Sequence, residues 1–250
     1  MTLSYQLYSS RAFPPLRQTL RMLADIGYSQ VEGYGALLAD DATVRDLELG
    51  LQETGLTMPS CHVALEMCSD APETVARLSK RLGIDTVVIP FLPPEARPGD
   101  RDGWDAFGRR MAGVTGAMAG YGLRLAYHNH DFEFAVLGSG ERPIDIILAA
   151  APDLLFEYDV AWAVRAQADP FDAIRKHGAR IALAHVKDIA PPGEKVDEDG
   201  WSDPGDGIMD WPGLYGALKT AGTQGFVVEH DNPGDHQRFA QRAFDWVRAQ

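Results

Sequence analysis

Residue types that bind metal ions recur at the ends of four successive apolar segments in the second half of the chain. These segments end in YHNH at 127–130, FEYD at 156–159, HVKD at 185–188 and VEHD at 228–231. Because alternate residues of a β-strand face the same side, His128 and His130 share a face, as do Glu157 and Asp159. Imidazole and carboxylate together suit Mn²⁺, Co²⁺, Fe²⁺ or Zn²⁺, and less well Mg²⁺. We therefore expect one divalent metal ion, with Mn²⁺ as the first choice.

Each of these residues has a simpler explanation when it is taken alone. An aspartate at a strand end commonly caps the following helix, and an isolated histidine is usually a hydrogen-bonded polar group. Four adjacent strands that carry such residues at the same end are harder to explain in that way. The joint pattern therefore favours a shared metal site.

The elements that would position these residues alternate regularly along the chain. Strands are predicted over 3–8, 30–34, 57–63, 85–91, 123–129, 154–159, 180–186 and 226–229. Helices are predicted over 15–26, 41–53, 72–82, 102–119, 142–151, 170–176, 211–221 and 236–248. A polar stretch rich in Pro and Gly runs from 188 to about 210, and its length predicts a functional loop.

Eight strand and helix repeats predict an α/β fold with a parallel sheet that closes into a (β/α)8 TIM barrel, one domain over 1–250. Active sites of this fold lie at the C-terminal ends of the strands, where the metal-binding residues collect. An open doubly wound sheet is the structural alternative. It usually carries a glycine-rich phosphate loop after the first strand, and this chain has none there.

The amino-acid composition limits the kinds of partner that the chain can bind. Lys and Arg number 23 against 36 Asp and Glu, for a net charge of −13, which argues against nucleic acid or an anionic membrane as the main partner. Two cysteines, Cys61 and Cys68, are too few for a disulfide framework. No signal peptide and no long apolar run are recognised, so a cytoplasmic location is expected. Homo-oligomerisation stays open.

Five motifs resemble the sugar phosphate isomerase/epimerase group of the xylose-isomerase-like barrels over nearly the whole chain. They are YHNHDFEF at 127–134, FEYDVAW at 156–162, HVKD at 185–188, GDGIMDW at 205–211 and VVEHD at 227–231. The resemblance implies a metal held by Glu, Asp, His and Glu at the ends of strands five to eight. Asp159, His185 and Glu229 match the last three positions.

The first ligand position departs from the family pattern. It falls on His128 where the family has Glu, so either His128 binds the metal or nearby Glu133 supplies the missing carboxylate. His130 aligns with a histidine that serves as acid or base in some related lyases. A proton-transferring group beside the metal is also required, which makes Glu157 and Glu229 further catalytic candidates.

Several other polar or aromatic residues are candidates for binding substrate. Glu32 and His62 end strands two and three and could contact sugar hydroxyls, while structural hydrogen bonds are the alternative. Lys187 and Asp188 follow His185 and could bind substrate or form a surface salt bridge. Trp162 could supply an apolar platform for a sugar face or pack in the core.

The function implied is a divalent-metal-dependent isomerase or epimerase of a sugar or keto-sugar, acting by proton abstraction next to a carbonyl that the metal binds. One alternative is a metal-dependent lyase or dehydratase of inosose or 3-keto-glycoside type. Another is a barrel that binds a sugar without catalysis. The three-zinc DNA-repair endonucleases of the superfamily are disfavoured, because Trp162 and the Pro90-Phe91 end of strand four lack their extra ligands.

Overall fold

Eight parallel strands close into a barrel in the computed structural model, which describes residues 2–250. In chain order the strands are β1 (Thr2–Gln6), β2 (Gln30–Gly33), β3 (Thr57–His62), β4 (Thr86–Ile89), β5 (Arg124–His128), β6 (Leu155–Asp159), β7 (Ile181–Val186), the short antiparallel pair β8 (Asp188–Ile189) and β9 (Trp201–Ser202), and β10 (Gly225–Val228). The barrel uses β1 to β7 and β10, and β10 pairs with β1 to close the ring. The predicted TIM barrel is confirmed.

Helices follow the strands around the outside of the barrel. They are α1 (Leu16–Ile26), α2 (Asp41–Thr54), α3 (Leu65–Asp70), α4 (Pro72–Leu82), α5 (Arg101–Gly120), α6 (Pro143–Ala150), α7 (Val160–Arg165), α8 (Pro170–His177), α9 (Trp211–Ala221) and α10 (His236–Arg248). The six-residue helices α3 and α7 were not predicted from the sequence. In residues 2–250 no helix has both the length and the apolarity needed to cross a membrane.

Successive side chains of β5 point alternately to the layer between the sheet and the helices and to the interior of the barrel. Tyr127 is fully buried and its ring centroid lies 6.0 Å from that of Phe107 in α5. Burial of a large apolar side chain in this outer layer stabilises the fold by roughly 1.5–3 kcal/mol. The next residue, His128, then faces the barrel interior. The packing that holds the helices on the sheet therefore also fixes the direction of the strand-end side chains.

Two strands, β1 and β4, end two residues earlier than the sequence predicted. β1 stops at Gln6 because residues Leu7–Ser10 form a 3-10 turn, in which the Gln6 side chain accepts a hydrogen bond from the Tyr8 amide. β4 stops at Ile89, and the next residue is Pro90, which has no amide hydrogen to donate to a neighbouring strand. Both early ends release polar and aromatic residues from the sheet to the rim of the barrel.

The long polar loop is ordered around one buried carboxylate. Asp188 accepts hydrogen bonds from four backbone amides, those of Ile189, Gly205, Gly207 and Met209, at 2.8–3.2 Å. A side chain at Gly207 would collide with the Asp188 carboxylate and with the Ile189 carbonyl oxygen. Asp188 was predicted to bind substrate, but its oxygens are already engaged by the loop. Its observed contacts are structural.

We predict that Asp188→Ala lowers the free energy of unfolding by roughly 2–5 kcal/mol, because several amide donors lose a charged acceptor. Denaturant titration followed by circular dichroism measures the change. Asp206→Ala is the matched control, since its half-exposed carboxylate in the same loop pairs with Arg242 on the surface. This substitution should cost less than about 1 kcal/mol. Equal effects of the two substitutions would contradict this role for Asp188.

Candidate metal centre and active-site pocket

Four strand ends bring together two imidazoles and two carboxylates. His128 ends β5, Asp159 ends β6, His185 lies in β7, and Glu229 follows β10 directly. One possible ligand atom from each lies within 4.8 Å of all the others, and all four residues are buried. The register of the sheet accounts for this, because Asp159 pairs directly with His185 between β6 and β7.

Asp159 caps a helix and also faces the cluster. Its Oδ1 accepts a hydrogen bond from the Trp162 amide at 3.0 Å at the start of α7. Its Oδ2 is buried and lies 3.0 Å from the Lys187 ammonium nitrogen, but without hydrogen-bond geometry. The Asn129 side chain donates to the Asp159 carbonyl oxygen and accepts from its amide. The strand ends of β5 and β6 are thereby joined, and one carboxylate oxygen remains directed at the cluster.

His185 lies between carboxylates on both sides of its ring. Its Nδ1 is 2.9 Å from Glu229 Oε2, and its Nε2 is 3.1 Å from Glu32 Oε1 and 3.2 Å from Glu157 Oε2. Burial alone would lower the pKa of this imidazole, but the Glu157 and Glu229 carboxylates raise the pKa well above its usual range. The carboxylates therefore favour the protonated, positively charged form of His185.

Lys187 supplies the cluster with a permanent positive charge. Its ammonium nitrogen is fully buried and lies 2.8 Å from Glu229, 3.0 Å from Asp159 and 3.0 Å from Asp231. Burial would lower the pKa of Lys187, but the three carboxylates raise the pKa above its ordinary value. It was predicted to bind substrate, and its ammonium group pairs with acidic side chains of the site and lies 4.8 Å from the centroid of a Trp201 ring.

The residues present fit a bound divalent cation. Glu32, Glu157, Asp159 and Glu229 bury four carboxylates, whereas Lys187 is the one lysine or arginine that is buried in the described chain. One oxygen each of Glu32, Glu157 and Asp159 has no hydrogen-bond partner there. Buried anions without partners are costly. A cation bound to the imidazoles and carboxylates would provide the missing charge, and this donor set suits Mn²⁺, Fe²⁺, Co²⁺ or Zn²⁺.

A cavity of about 610 Å³ opens over the cluster. The predicted site residues that line it are His62, His128, His130, Trp162 and Glu229. The others lie below its surface or away from it: Glu32, Glu133, Glu157, Asp159, His185, Lys187 and Asp188. Of the three predicted acid or base groups, His130 and Glu229 can therefore reach a ligand in the cavity, and Glu157 is covered by imidazoles.

His130 stands in the aromatic wall of this cavity. Its ring centroid lies 5.2 Å from that of Phe91 and 5.2 Å from that of Trp162. Burial, reinforced by the Lys187 ammonium, lowers the pKa of His130 to about 3, so the ring is neutral at neutral pH. Its Nδ1 has no hydrogen-bond partner in residues 2–250. Packing against the neighbouring aromatic rings therefore orients the His130 ring.

Glu133 is held away from the four-residue cluster. The Tyr127 hydroxyl donates to one of its oxygens at 2.6 Å, and the His130 amide donates to the other at 2.8 Å. Burial raises the pKa of Glu133 to about 7, although these hydrogen bonds oppose the shift. Both oxygens are occupied by protein donors. The observed contacts of Glu133 orient the backbone of His130.

Sequence reasoning missed most of the outer lining of the cavity. Arg165 donates a hydrogen bond to the Asp199 carbonyl oxygen at 2.6 Å, and its guanidinium carbon lies 3.1 Å from a ring centroid of Trp201. Further lining residues are Tyr8, Arg11, Tyr34 and Asp231. Of these, Asp231 was visible in the VEHD motif. Burial raises the pKa of Asp231 to about 6, even though Lys187 opposes the shift.

A model of the xylose isomerase-like TIM barrel family matches residues 20–250. An inosose dehydratase of Bacillus licheniformis is 30% identical over 155 residues, which cover 52% of this chain and 50% of that protein. The chain spans about half the length of the curated relatives that it matches.

Solved structures have the same fold at low sequence identity. A sugar phosphate isomerase/epimerase from Parabacteroides distasonis aligns with a TM-score of 0.81 and 21% identity over 99% of this chain and 93% of that one. The IolI protein with a bound zinc atom aligns with a TM-score of 0.76 and 16% identity over 100% and 97% of the two chains.

The two alternative ligands, His128 at the end of β5 and Glu133 in the turn that follows it, can be separated by mutation. We predict that His128→Ala weakens Mn²⁺ binding by at least about 100-fold, because a donor of the cluster is lost. Glu133→Gln keeps an acceptor for the Tyr127 hydroxyl and should change the affinity by less than about 10-fold. Titration calorimetry of chelator-stripped protein measures both values. If Glu133→Gln weakens binding more than His128→Ala, Glu133 and not His128 is the ligand.

Proposed function

This chain belongs to the xylose isomerase-like TIM barrel family, and we propose that it is a divalent-metal-dependent isomerase or epimerase of a sugar or keto-sugar. One observation carries the proposal: His128, Asp159, His185 and Glu229 converge within 4.8 Å at the floor of a cavity of about 610 Å³. A purely structural cluster would not need to open onto a cavity of ligand size.

We propose that these four residues hold the ion and that it is Mn²⁺, with Co²⁺, Fe²⁺, Zn²⁺ and Mg²⁺ as alternatives. Two imidazoles and two carboxylates form a mixed donor set that these ions accept. When bound, the ion would supply a Lewis acid that polarises a carbonyl group and makes the adjacent C–H bond more acidic. The neighbouring IolI structure, which contains zinc, supports a divalent ion in this fold.

His130 is the proposed proton acceptor. Its ring is neutral and lines the cavity beside His128, with the two ring centroids 5.1 Å apart. A neutral imidazole can take a proton, at a ring nitrogen that faces the cavity, from the carbon next to a carbonyl and return it later. Glu133 accepts from the His130 amide and fixes the backbone that carries this ring.

Epimerisation requires that a proton is delivered to the opposite face of the carbon that lost one. Isomerisation requires that a proton is delivered to the neighbouring carbon. Asp231 lines the same cavity and lies 3.0 Å from the Lys187 ammonium. We propose it as the second proton-transfer group, with Lys187 holding its carboxylate in place. Trp162 lines the cavity next to His130 and would face the apolar side of a sugar ring.

A lyase or dehydratase acting on an inosose or a 3-keto-glycoside is the second candidate. The relative named inosose dehydratase, at 30% identity, favours it. The first proton transfer is the same in both reactions, since each begins next to a carbonyl. They differ in the fate of the β-substituent, which a lyase expels and an isomerase retains.

Proton exchange distinguishes catalysis from binding. We predict that the Mn²⁺-loaded protein incorporates deuterium next to the carbonyl of at least one member of a panel of ketohexoses, inososes and 3-keto-glucosides in D₂O, as measured by proton NMR. Chelator-treated protein is the control and should show no exchange. Loss of a β-substituent from the same substrate would identify the lyase. Thermal stabilisation by a sugar without any exchange would instead support a binding protein.

The role of His130 has its own test. We predict that His130→Gln keeps its Mn²⁺ affinity within about 10-fold and lowers the exchange rate by about 100-fold or more, the usual contribution of a general base. His236→Gln, in a histidine of α10 outside the cavity, is the matched control and should exchange at the original rate. Unchanged exchange in His130→Gln would exclude this residue as the base.

A further inference from the structure

The cavity has an outer part whose side chains differ in chemistry from those of the proposed metal centre. We call this part the aromatic rim and define it as Tyr8, Tyr34, Phe91 and Trp201, which all line the cavity. Tyr8 and Phe91 are 37% and 43% exposed, whereas Glu229 at the cavity floor is 4% exposed. Tyr8 and Phe91 therefore lie nearer the solvent than the proposed metal centre.

The four rings of the aromatic rim come from loops that are spread around the barrel. Tyr8 follows β1, Tyr34 follows β2, Phe91 follows β4, and Trp201 lies in β9 within the loop after β7. In the eight-stranded ring, β4 and β7 are separated from each other and from the neighbouring strands β1 and β2. The rim therefore lines the cavity from several sides, and such side chains can contact both a face and an edge of a planar group.

Contacts within the protein fix the orientation of the rim. The rings of Tyr8 and Tyr34 meet edge to face, with centroids 5.4 Å apart and planes at 82°. The guanidinium carbon of Arg11 lies 3.9 Å from the Tyr8 centroid. That of Arg165 lies 3.1 Å from a ring centroid of Trp201. Aromatic pairs and cation–π contacts favour one ring orientation, and a preformed site loses little conformational entropy when a ligand binds.

The polar groups of the cavity are poorly suited to a second sugar ring. The charged side chains that line it are Arg11, Arg165, Asp199, Glu229 and Asp231. No Asn, Gln, Ser or Thr in residues 2–250 lines it. A second sugar would bring several hydroxyl groups into the rim, and burial of a hydroxyl without a hydrogen-bond partner is costly. A planar apolar group fits the rim better.

The cavity is also larger than a single sugar ring. Its volume of about 610 Å³ lies within the range of roughly 300–1,000 Å³ that is typical of sites for drug-sized ligands. A free keto-sugar over the proposed metal centre would leave the rings of Tyr8 and Phe91 in contact with water. Exposed apolar side chains gathered at a cavity indicate a ligand that has a second, apolar part.

We propose that the aromatic rim binds a planar aromatic group attached to the sugar, so that the substrate is an aryl glycoside of a keto-sugar and not a free monosaccharide. The inference rests on the proposed function, because the keto-sugar part would lie over the proposed metal centre. Trp162, proposed above to face the sugar, contacts Trp201 of the rim at a centroid distance of 4.9 Å. The regions for the sugar and for the aryl group are therefore continuous.

Affinity for a series of glycosides tests this inference. The series comprises the methyl, cyclohexyl, phenyl and glucosyl β-glycosides of 3-keto-glucose, and titration calorimetry with Mn²⁺-loaded protein gives the dissociation constants. We expect the phenyl compound to bind at least about 10-fold more tightly than the methyl compound, with cyclohexyl between them, because burial and stacking both add affinity. Equal affinity for phenyl and methyl, no binding of either, or tighter binding of glucosyl than of phenyl would overturn the inference.

Substitutions in the rim provide a second readout. We expect Tyr8→Ala and Phe91→Ala each to reduce the preference for phenyl over methyl by about 5-fold, because each removes a ring that contacts the aryl group. Phe91→Leu keeps apolar bulk without an aromatic face and should lose less. Tyr121→Ala is the matched control, since this exposed tyrosine bonds to Glu73 outside the cavity, and it should retain the preference. An unchanged preference in both alanine variants of the rim would overturn the assignment.

Deuterium exchange into the same compounds separates this inference from the proposed function. Exchange into the methyl and phenyl compounds with equal dissociation constants would overturn the aryl site and leave the proposed function intact. Tighter binding of the phenyl compound without exchange into any compound would support the aryl site and overturn the proposed isomerase or epimerase. Circular dichroism melts identify any variant that fails to fold.

Discussion

The burial of four carboxylates in one barrel mouth is the constraint on which the rest of the site depends. Glu32, Glu157, Asp159 and Glu229 are all removed from water, and carboxylates so placed repel one another unless positive charge lies among them. Lys187 supplies one such charge, and the carboxylates raise the pKa of His185 well above its usual range. A bound divalent cation could supply this positive charge in place of the proton on His185. The same imbalance that disfavours folding would therefore favour binding of the proposed metal ion.

The fold meets this constraint by fixing the strand ends rigidly. The Asn129 side chain joins the backbone of β5 to that of β6, and Asp159 divides its two oxygens between the start of α7 and the cluster. Asp188 holds the loop that follows β7, and β8 and β9 within this loop bring Trp201 to the cavity. Along the HVKD motif, His185 and Lys187 contact Glu229 of the cluster and Asp188 binds amides of the loop, so nearby polar residues in the sequence have different partners.

Much of this arrangement follows from the sequence, because two local patterns encode it. Apolar runs alternating with amphipathic helices predict the barrel, and polar residues at successive strand ends predict the converging set that includes His128 and Asp159. Local pattern carries no information on partners distant in sequence. It therefore did not reveal that Asp188 is saturated by amides about 20 residues away, or that Glu157 is enclosed by three imidazoles. Arg165 and Trp201 escaped notice because tertiary packing of loops, not a strand register, brings them to the cavity.

Anomalous diffraction at the manganese absorption edge, from crystals of protein loaded with Mn²⁺, tests the central claim most directly. The account predicts a peak at the barrel mouth, about 2.0–2.3 Å from donor atoms of His128, Asp159, His185 and Glu229. A difference map in which Lys187 keeps its contacts to the carboxylates while manganese is found only on the protein surface would contradict it. In that event the buried carboxylates would be balanced by protons and the ammonium alone.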